Sequence, residues 1–297
     1  MNNSQIETEI SKLKTCVKDI SESMFNIFYP WRKNANPQNV TEDKAIAQCI
    51  FQMVMCKTHS ILSLSEGISI IPNNENFKLI DANSIYSVLR SLYETIFIFR
   101  NIFIMPDTDE ERRLLLNLWI IRGLYNRQKC DYTPNRFQEK QEKEQKDIQK
   151  LKDEICHLAT NLQMSEGAKK QVEHALNKET TMLKGYRFKK DANGIIVSME
   201  TISFEDSPSV LWENIKYKKL YTLMSLKSHL SYLGTLQFGQ MYNDGFILNE
   251  LKFVLESCCI FASIFISDFC RFADAQLYFE KLPEDSKNII RGFSAIQ

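Results

Sequence analysis

Apolar residues along this chain recur mostly at spacings of three and four, the period of one helix face. Ile6, Ile10, Leu13, Val17, Ile20, Met24 and Ile27 alternate the two spacings and predict a first helix over residues 4–28. Its narrow heptad seam is expected to pack on one neighbour, within the chain, on a protein partner or across a two-fold homodimer. Pro30 and Pro37 predict a loop after it. Thr41, followed by Glu42 and Asp43, suits the capped start of a second helix. That helix is apolar nearly all round, which predicts a central place, and it stops at Gly67. A third helix is expected from about Asp81 to Pro106. A fourth, capped by Asp107 to Asp109, carries Leu114, Leu115, Leu118, Trp119 and Ile121. Later runs predict helices over 216–242 and 246–282, with a short tail from Pro283.

Residues 136–204 change in character. The stretch FQEKQEKEQKDIQKLKDEI is densely charged, yet Ile148, Leu151, Ile155, Leu158 and Leu162 keep heptad spacing. Val172, Leu176 and Leu183 follow in a second amphipathic run. Together they predict an antiparallel, coiled-coil-like helical hairpin whose charges form a solvated face. Asn193-Gly194 between two runs of β-forming residues predicts a β-hairpin within 186–204, the only strands expected. Ser207-Pro208 suits the start of a short helix. The fold class is therefore all-α: a multi-helix bundle from residues 1–135 and 205–297, with 136–204 inserted.

Composition narrows the picture. Nine Gly and seven Pro in 297 residues fit long regular elements. Lys plus Arg and Asp plus Glu both number 37, so bulk attraction to nucleic acid or an anionic membrane is not expected. Of eight cysteines, Cys16, Cys49, Cys56, Cys156, Cys258, Cys259 and Cys270 fall among apolar helical residues, where a reduced thiol behaves as a small hydrophobe. The absence of a CxxC pair and of zinc-spaced Cys/His clusters predicts no metal. The polar start MNNSQIETEISKLK lacks an apolar signal region, which with the reduced cysteines points to a cytoplasmic protein. Arg90, Glu94, Arg100 and Asn101 make residues 85–105 costly as a membrane span, and 257–267 is too short, so no membrane is expected.

Two polar sets stand inside these apolar helices. Arg90 and Glu94 lie one turn apart, and Tyr221, Ser225 and His229 recur every fourth residue. Burying charge is costly unless it is paired, so each set needs a structural or a chemical reason. The structural reading of Arg90 and Glu94 is a pair that fixes helix register. The functional reading is an arginine that grips phosphate, with Glu94 orienting it or acting as a base. His229 is either a buried histidine bonded to Tyr221, Ser225 or Glu94, or a proton-transfer group. No GxSxG elbow supports a serine hydrolase. His59 is expected in the core, and His157 and His174 in solvent. The basic-aromatic runs KGYRFKK, with Arg187, Lys189 and Lys190, and KYKK at 216–219 are surface charge or an RNA-binding track. No Walker A, GxGxxG, HExxH or EF-hand motif occurs, so no cofactor is inferred.

At RSLYE and YxxLYxxxSxxxH the sequence resembles a widespread bacterial family of all-helical proteins without an established activity. They share an Arg-x-x-x-Glu helix and a later Tyr-Ser-His helix. The likeness spans roughly residues 40–275 and implies Arg90, Glu94, Tyr221, Ser225 and His229 as the shared positions. It carries no activity to transfer; the leading expectation is a cytoplasmic bacterial binding or regulatory module with a setting in stress or phage defence, and the alternative is a ribonuclease-like effector. A more distant resemblance is to HEPN-type helical bundles, several of them metal-independent ribonucleases marked by Arg, four to six residues, then His on one helix. No Arg stands in that relation to His229 here, and Lys227 is too close. Arg90 would have to supply the cation from another helix.

Overall fold

The structure, a computed structural model, describes residues 3–35, 41–70, 78–129, 138–177, 185–205, 219–229, 231–243 and 246–295. The Ser207-Pro208 cap, Leu183, Cys130, Lys184 and Lys216 to Lys218 lie outside the described residues. The fold is an all-α multi-helix bundle with a short β-hairpin. The chain divides into two compact units, residues 1–100 with 207–297, and residues 101–206.

The first unit holds α1 (Asn3–Asn34), α2 (Glu42–Ser65), α3 (Ala82–Phe99), α7 (Leu220–Ser228), α8 (Tyr232–Asn243), α9 (Ile247–Phe272), α10 (Gln276–Phe279) and α11 (Glu284–Ser294). Its axis is α9, which packs on α1, α2, α3 and α11. Length and composition alone would let α9 cross a bilayer, but most of it is buried inside the unit. Aromatic rings tie the surrounding helices to it. Phe51 of α2 meets Phe269 at 4.4 Å and Phe28 of α1 at 4.9 Å, while Phe99 of α3 meets Phe265 at 4.8 Å. Such contacts add about 0.5–1.5 kcal/mol each beyond area burial.

The α1 seam is used within the chain. Ile6, Ile10, Val17, Ile20, Met24 and Ile27 are buried, and α1 packs on α2 and α9. The helix also runs through Pro30, where a loop is expected. Pro30 forfeits one backbone bond, but Trp31 is buried and its Nε1 donates to the Ala273 carbonyl at 3.0 Å, which holds the last turn. The expectation that α2 is central is corrected. Met53, Cys49, Cys56 and His59 are exposed, because its neighbours cover only one side. Gly67, with φ +79°, ends α2 as expected.

Two long helices predicted from periodicity are broken. Residues 216–242 give α7 and α8, because Ser231 caps a new helix: its Oγ accepts from Gly234 N at 3.0 Å, and its carbonyl from Thr235 N at 2.9 Å. Residues 246–282 end at Phe272, where Asp274 takes φ 54°, and the tail after Pro283 is the helix α11. A further two-residue strand pair, β1 (Ile68–Ser69) with β2 (Lys78–Leu79), was not anticipated.

The second unit holds α4 (Asp109–Gln128), α5 (Gln138–Asn161), α6 (Glu166–Asn177) and the antiparallel hairpin β3 (Gly185–Lys190) with β4 (Ile196–Ile202). Thr108 caps α4, accepting from Glu111 N at 3.2 Å. The predicted β-hairpin is present, with Gly194 at φ +81° in its turn. Assigning α4 to the main bundle is corrected. Its Leu114, Leu115, Leu118 and Ile121 pack with Ile155, Leu158, Val172, Tyr186 and Met199 in one core, so α4 covers the apolar faces of the hairpin helices. A π-helical turn, Arg100–Ile104, follows α3. Within the second unit Asn101 donates to the Tyr186 carbonyl at 2.8 Å and accepts from its N–H at 3.1 Å.

Asp268 on α9 is buried beside Arg100, with Nε 2.9 Å from Oδ2. Burial pushes its carboxyl up from the usual 3.8 to about 6, against the pull of Arg100 and Arg271. The folded chain thus holds this proton over a pH range in which the unfolded chain has lost it. The group's contribution is present below about pH 4 and is lost as pH rises through 6, at most about 3 kcal/mol. Denaturant unfolding at pH 4.5 and 7.5 should show wild type losing stability relative to Asp268→Asn at the higher pH. A constant or reversed difference would refute this.

Candidate functional site

The two polar sets meet. α3 and α7 pack on each other within the first unit, and Arg90 of α3 is the hub. Its Nε donates to Glu94 Oε1 at 2.9 Å, and its Nη2 donates to Tyr221 Oη at 2.7 Å. Its Nη1 bonds His229 Nε2 at short range. The Tyr221 hydroxyl in turn donates to Glu94 Oε1 at 3.1 Å, closing the ring. The guanidinium carbon lies 5.0 Å from the Tyr221 ring centroid, a cation–π contact.

Each position has a local cause. Arg90 and Glu94 share a face of α3, whose start is fixed by Asp81 accepting from Ser84 N at 3.1 Å. Tyr221 stands in the first turn of α7, with its ring 6.0 Å from that of buried Tyr93. His229 is the residue at which α7 ends. Its backbone is extended, with φ −104° and ψ 149°, and its side chain is exposed. The reading of His229 as a buried helical residue is therefore corrected. Ser225 contributes its carbonyl, which accepts from His229 N at 3.2 Å.

A guanidinium has donors only, so the His229 nitrogen facing Arg90 must be the ring's acceptor. Arg90 spends three of its five N–H groups in the cluster, which leaves two. Burial raises the Tyr221 phenol, the Glu94 charge raises it further, and Arg90 opposes both, so the hydroxyl keeps its proton. Lys57 on α2 lies close enough for Glu94 to offset part of the burial that lowers its ammonium.

One turn earlier on α3 lies a second polar level that sequence reasoning missed. The Tyr86 hydroxyl donates to Glu250 of α9, and the Lys227 ammonium of α7 pairs with the same carboxylate oxygen. Lys227 also lies 4.9 Å from the Tyr86 ring centroid. Burial, then the Glu250 charge, raises the Tyr86 phenol strongly. The available signal was the four-residue recurrence of Tyr86, Arg90 and Glu94 on one helix.

Other candidates fall away. Lys190 is held by Asp107 at 2.5 Å and Glu111 at 2.6 Å, and Lys189 by Glu200 at 2.5 Å. Arg187 is half-buried. This run therefore does not present a row of unpaired cations for a phosphate backbone. His59 is exposed, against expectation, in a groove with Phe25 and Met55. His157 and His174 are exposed as expected. All seven described cysteines are free. Cys258, Cys259 and Cys270 are buried, and burial pushes the Cys258 and Cys270 thiols up to about 12, whereas Cys49, Cys56 and Cys156 are exposed. Among the described residues no three His, Cys, Asp or Glu side chains group as metal ligands. No family model, curated protein or solved structure matches the chain.

The two levels should respond differently to mutation. Lys227 is 7% exposed, and Lys227→Ala strands Glu250, at a cost of about 2–4 kcal/mol. Arg90 and Glu94 are half-buried, at 21% and 28% exposed, and solvent screens them in part, so Arg90→Ala should cost less, about 1–2 kcal/mol. Urea unfolding of both variants checks this. Equal losses would show that the Arg90 level is as structural as the Lys227 level.

Proposed function

We propose that the chain is a binding module whose α3–α7 cluster receives a phosphate-bearing ligand. The observation that carries this reading is Arg90, with two unspent N–H groups, held by Glu94 and Tyr221 beside the exposed His229. The Arg90–Glu94 pair is half-buried and still reached by solvent, which limits what it adds to stability, and the order Arg then Glu along α3 is the less favourable one for the helix. Stability alone therefore gives weak reason for the arrangement. Glu94 and Tyr221 hold the guanidinium plane in place, as bidentate recognition of a phosphate requires. Lys57 adds positive charge nearby. A ligand phosphate held by the unspent N–H groups of Nη1 and Nη2 would also compete with His229 for the second Nη1 donor, and by winning it would free the imidazole nitrogen.

That release favours a second reading, metal-independent RNA cleavage. His229 Nε2 would take the proton of a 2′-hydroxyl as its oxygen forms the bond to phosphorus. The P–O5′ bond breaks, the departing oxygen takes a proton from the imidazolium, and a cyclic phosphate remains. Arg90 would stabilise the charge on phosphorus and Glu94 would position it.

One experiment addresses both readings. Inorganic phosphate and a 2′-O-methyl oligoribonucleotide, which cannot be cleaved in this way, are titrated into wild type and Arg90→Gln, with folding checked by circular dichroism. Wild type should bind at least one probe, and Arg90→Gln should bind it roughly ten-fold more weakly or worse. Equal binding, or binding of neither probe, would overturn the binding reading. Unmodified RNA incubated with EDTA tests cleavage. The second reading expects 5′-hydroxyl fragments that disappear in His229→Ala.

A further inference from the structure

Arginine and lysine are seldom buried without a partner, because a charge taken out of water is costly. The chain follows this rule at Arg100 with Asp268, at Lys190 with Asp107 and Glu111, and at Lys227 with Glu250. Arg122 on α4 breaks it. The residue is 4% exposed, yet its Nε and Nη1 are out of solvent and without a hydrogen-bond partner. Nε carries one N–H and Nη1 two, so three donors stand unanswered. Burial lowers the guanidinium from its ordinary value, and among the described residues no carboxylate opposes that shift. The guanidinium carbon lies 4.6 Å from the centroid of the Tyr186 ring. The ring attracts the charge, but it gives the N–H groups no oxygen. The Tyr186 hydroxyl, in the same core, is also buried without a hydrogen-bond partner.

Buried polar groups in native proteins are satisfied, and an exception needs a reason such as an ion or a ligand. Stability does not supply one here, since an unpaired buried charge is destabilising. A guanidinium keeps its proton and has donors only, so its complement is an anion. Three observations narrow the anion. At 4% exposure Arg122 cannot have a nucleic-acid strand or a protein segment lying across it. One guanidinium balances one negative charge, whereas a phosphate group carries about 1.5 to 2 at pH 7. The core around α4 is otherwise apolar, with Leu118 one turn before Arg122 and Ile121 beside it. We infer that Arg122 anchors a site for a small monocarboxylic acid with an apolar body. The guanidinium holds the carboxylate by charge-assisted bonds, and the Tyr186 hydroxyl donates to it. Asn101, bonded to both the N–H and the carbonyl of Tyr186, keeps that ring in place. The site belongs to the second unit and uses no residue of the Arg90 cluster.

The test is calorimetric titration of sodium butyrate and sodium benzoate into the full chain, against sodium chloride at equal ionic strength. Wild type should bind at least one of the two at a single site, and that acid should raise its melting temperature as its concentration grows. Arg122→Met removes the charge and keeps an extended apolar side chain. It should bind the same acid roughly ten-fold more weakly or worse. Arg90→Gln should bind it as wild type does. If Arg122→Met fails to fold, Tyr186→Phe decides, since it removes the hydroxyl alone, and it should bind several-fold more weakly. Neither acid bound by wild type would overturn the proposal. So would equal binding by folded Arg122→Met, undiminished binding by Tyr186→Phe, or loss of binding in Arg90→Gln. Inorganic phosphate that displaces the acid from wild type and from Arg90→Gln alike would overturn the choice of a monocarboxylate.

Discussion

A lysine ammonium out of water costs several kcal/mol unless it is paired, and Lys227 is 7% exposed. Glu250 and the Tyr86 ring answer that cost, and in doing so they fix α7 against α3 and α9. The register of α7 on α3 follows from this contact. So does the meeting of Tyr221 and His229 with Arg90, one turn further along α3. The aromatic contacts around Phe51, Phe265 and Phe269 hold the helices together, but apolar packing tolerates sliding more readily than a stranded charge does.

The two polar levels divide the work between α3 and α7. The buried level is closed: one carboxylate, one ammonium and one phenol satisfy one another. The outer level is open. Arg90 keeps unspent donors, and its His229 contact is the one most easily exchanged, because His229 is an exposed side chain at the end of α7. A ligand phosphate offers Arg90 a charge-assisted bond, roughly twice as strong as a neutral one. The exchange needs no rearrangement of Glu94 or Tyr221.

Much of this was legible in the sequence. Four-residue spacing placed Arg90 with Glu94, and Tyr221 with His229, and the cost of burying polar groups marked both sets. Spacing could not say that α7 ends at His229. Apolar periodicity continues across the break, and only the Ser231 cap separates the two helices. For the same reason the turn at Asp274 was hidden within the run from 246 to 282. Spacing could not mark Lys227, because its partners stand on other helices, Tyr86 141 residues earlier and Glu250 23 residues later. Placing α4 with the insertion required knowing which apolar faces meet, which heptad spacing does not encode. The exposure of His59 follows from how little of α2 its neighbours cover, again a tertiary fact.

On the proposed reading, Arg90 leaves His229 when a phosphate arrives. The most direct measurement is 15N NMR of the imidazole nitrogens in histidine-labelled protein, with the four histidines assigned by substitution. In the free protein the His229 Nε2 signal should be that of an acceptor nitrogen. Adding the 2′-O-methyl oligoribonucleotide should shift that signal while those of His59, His157 and His174 stay in place, and Arg90→Gln should remove the response. A His229 signal that does not move while the ligand binds, or one that responds equally in Arg90→Gln, would contradict the account.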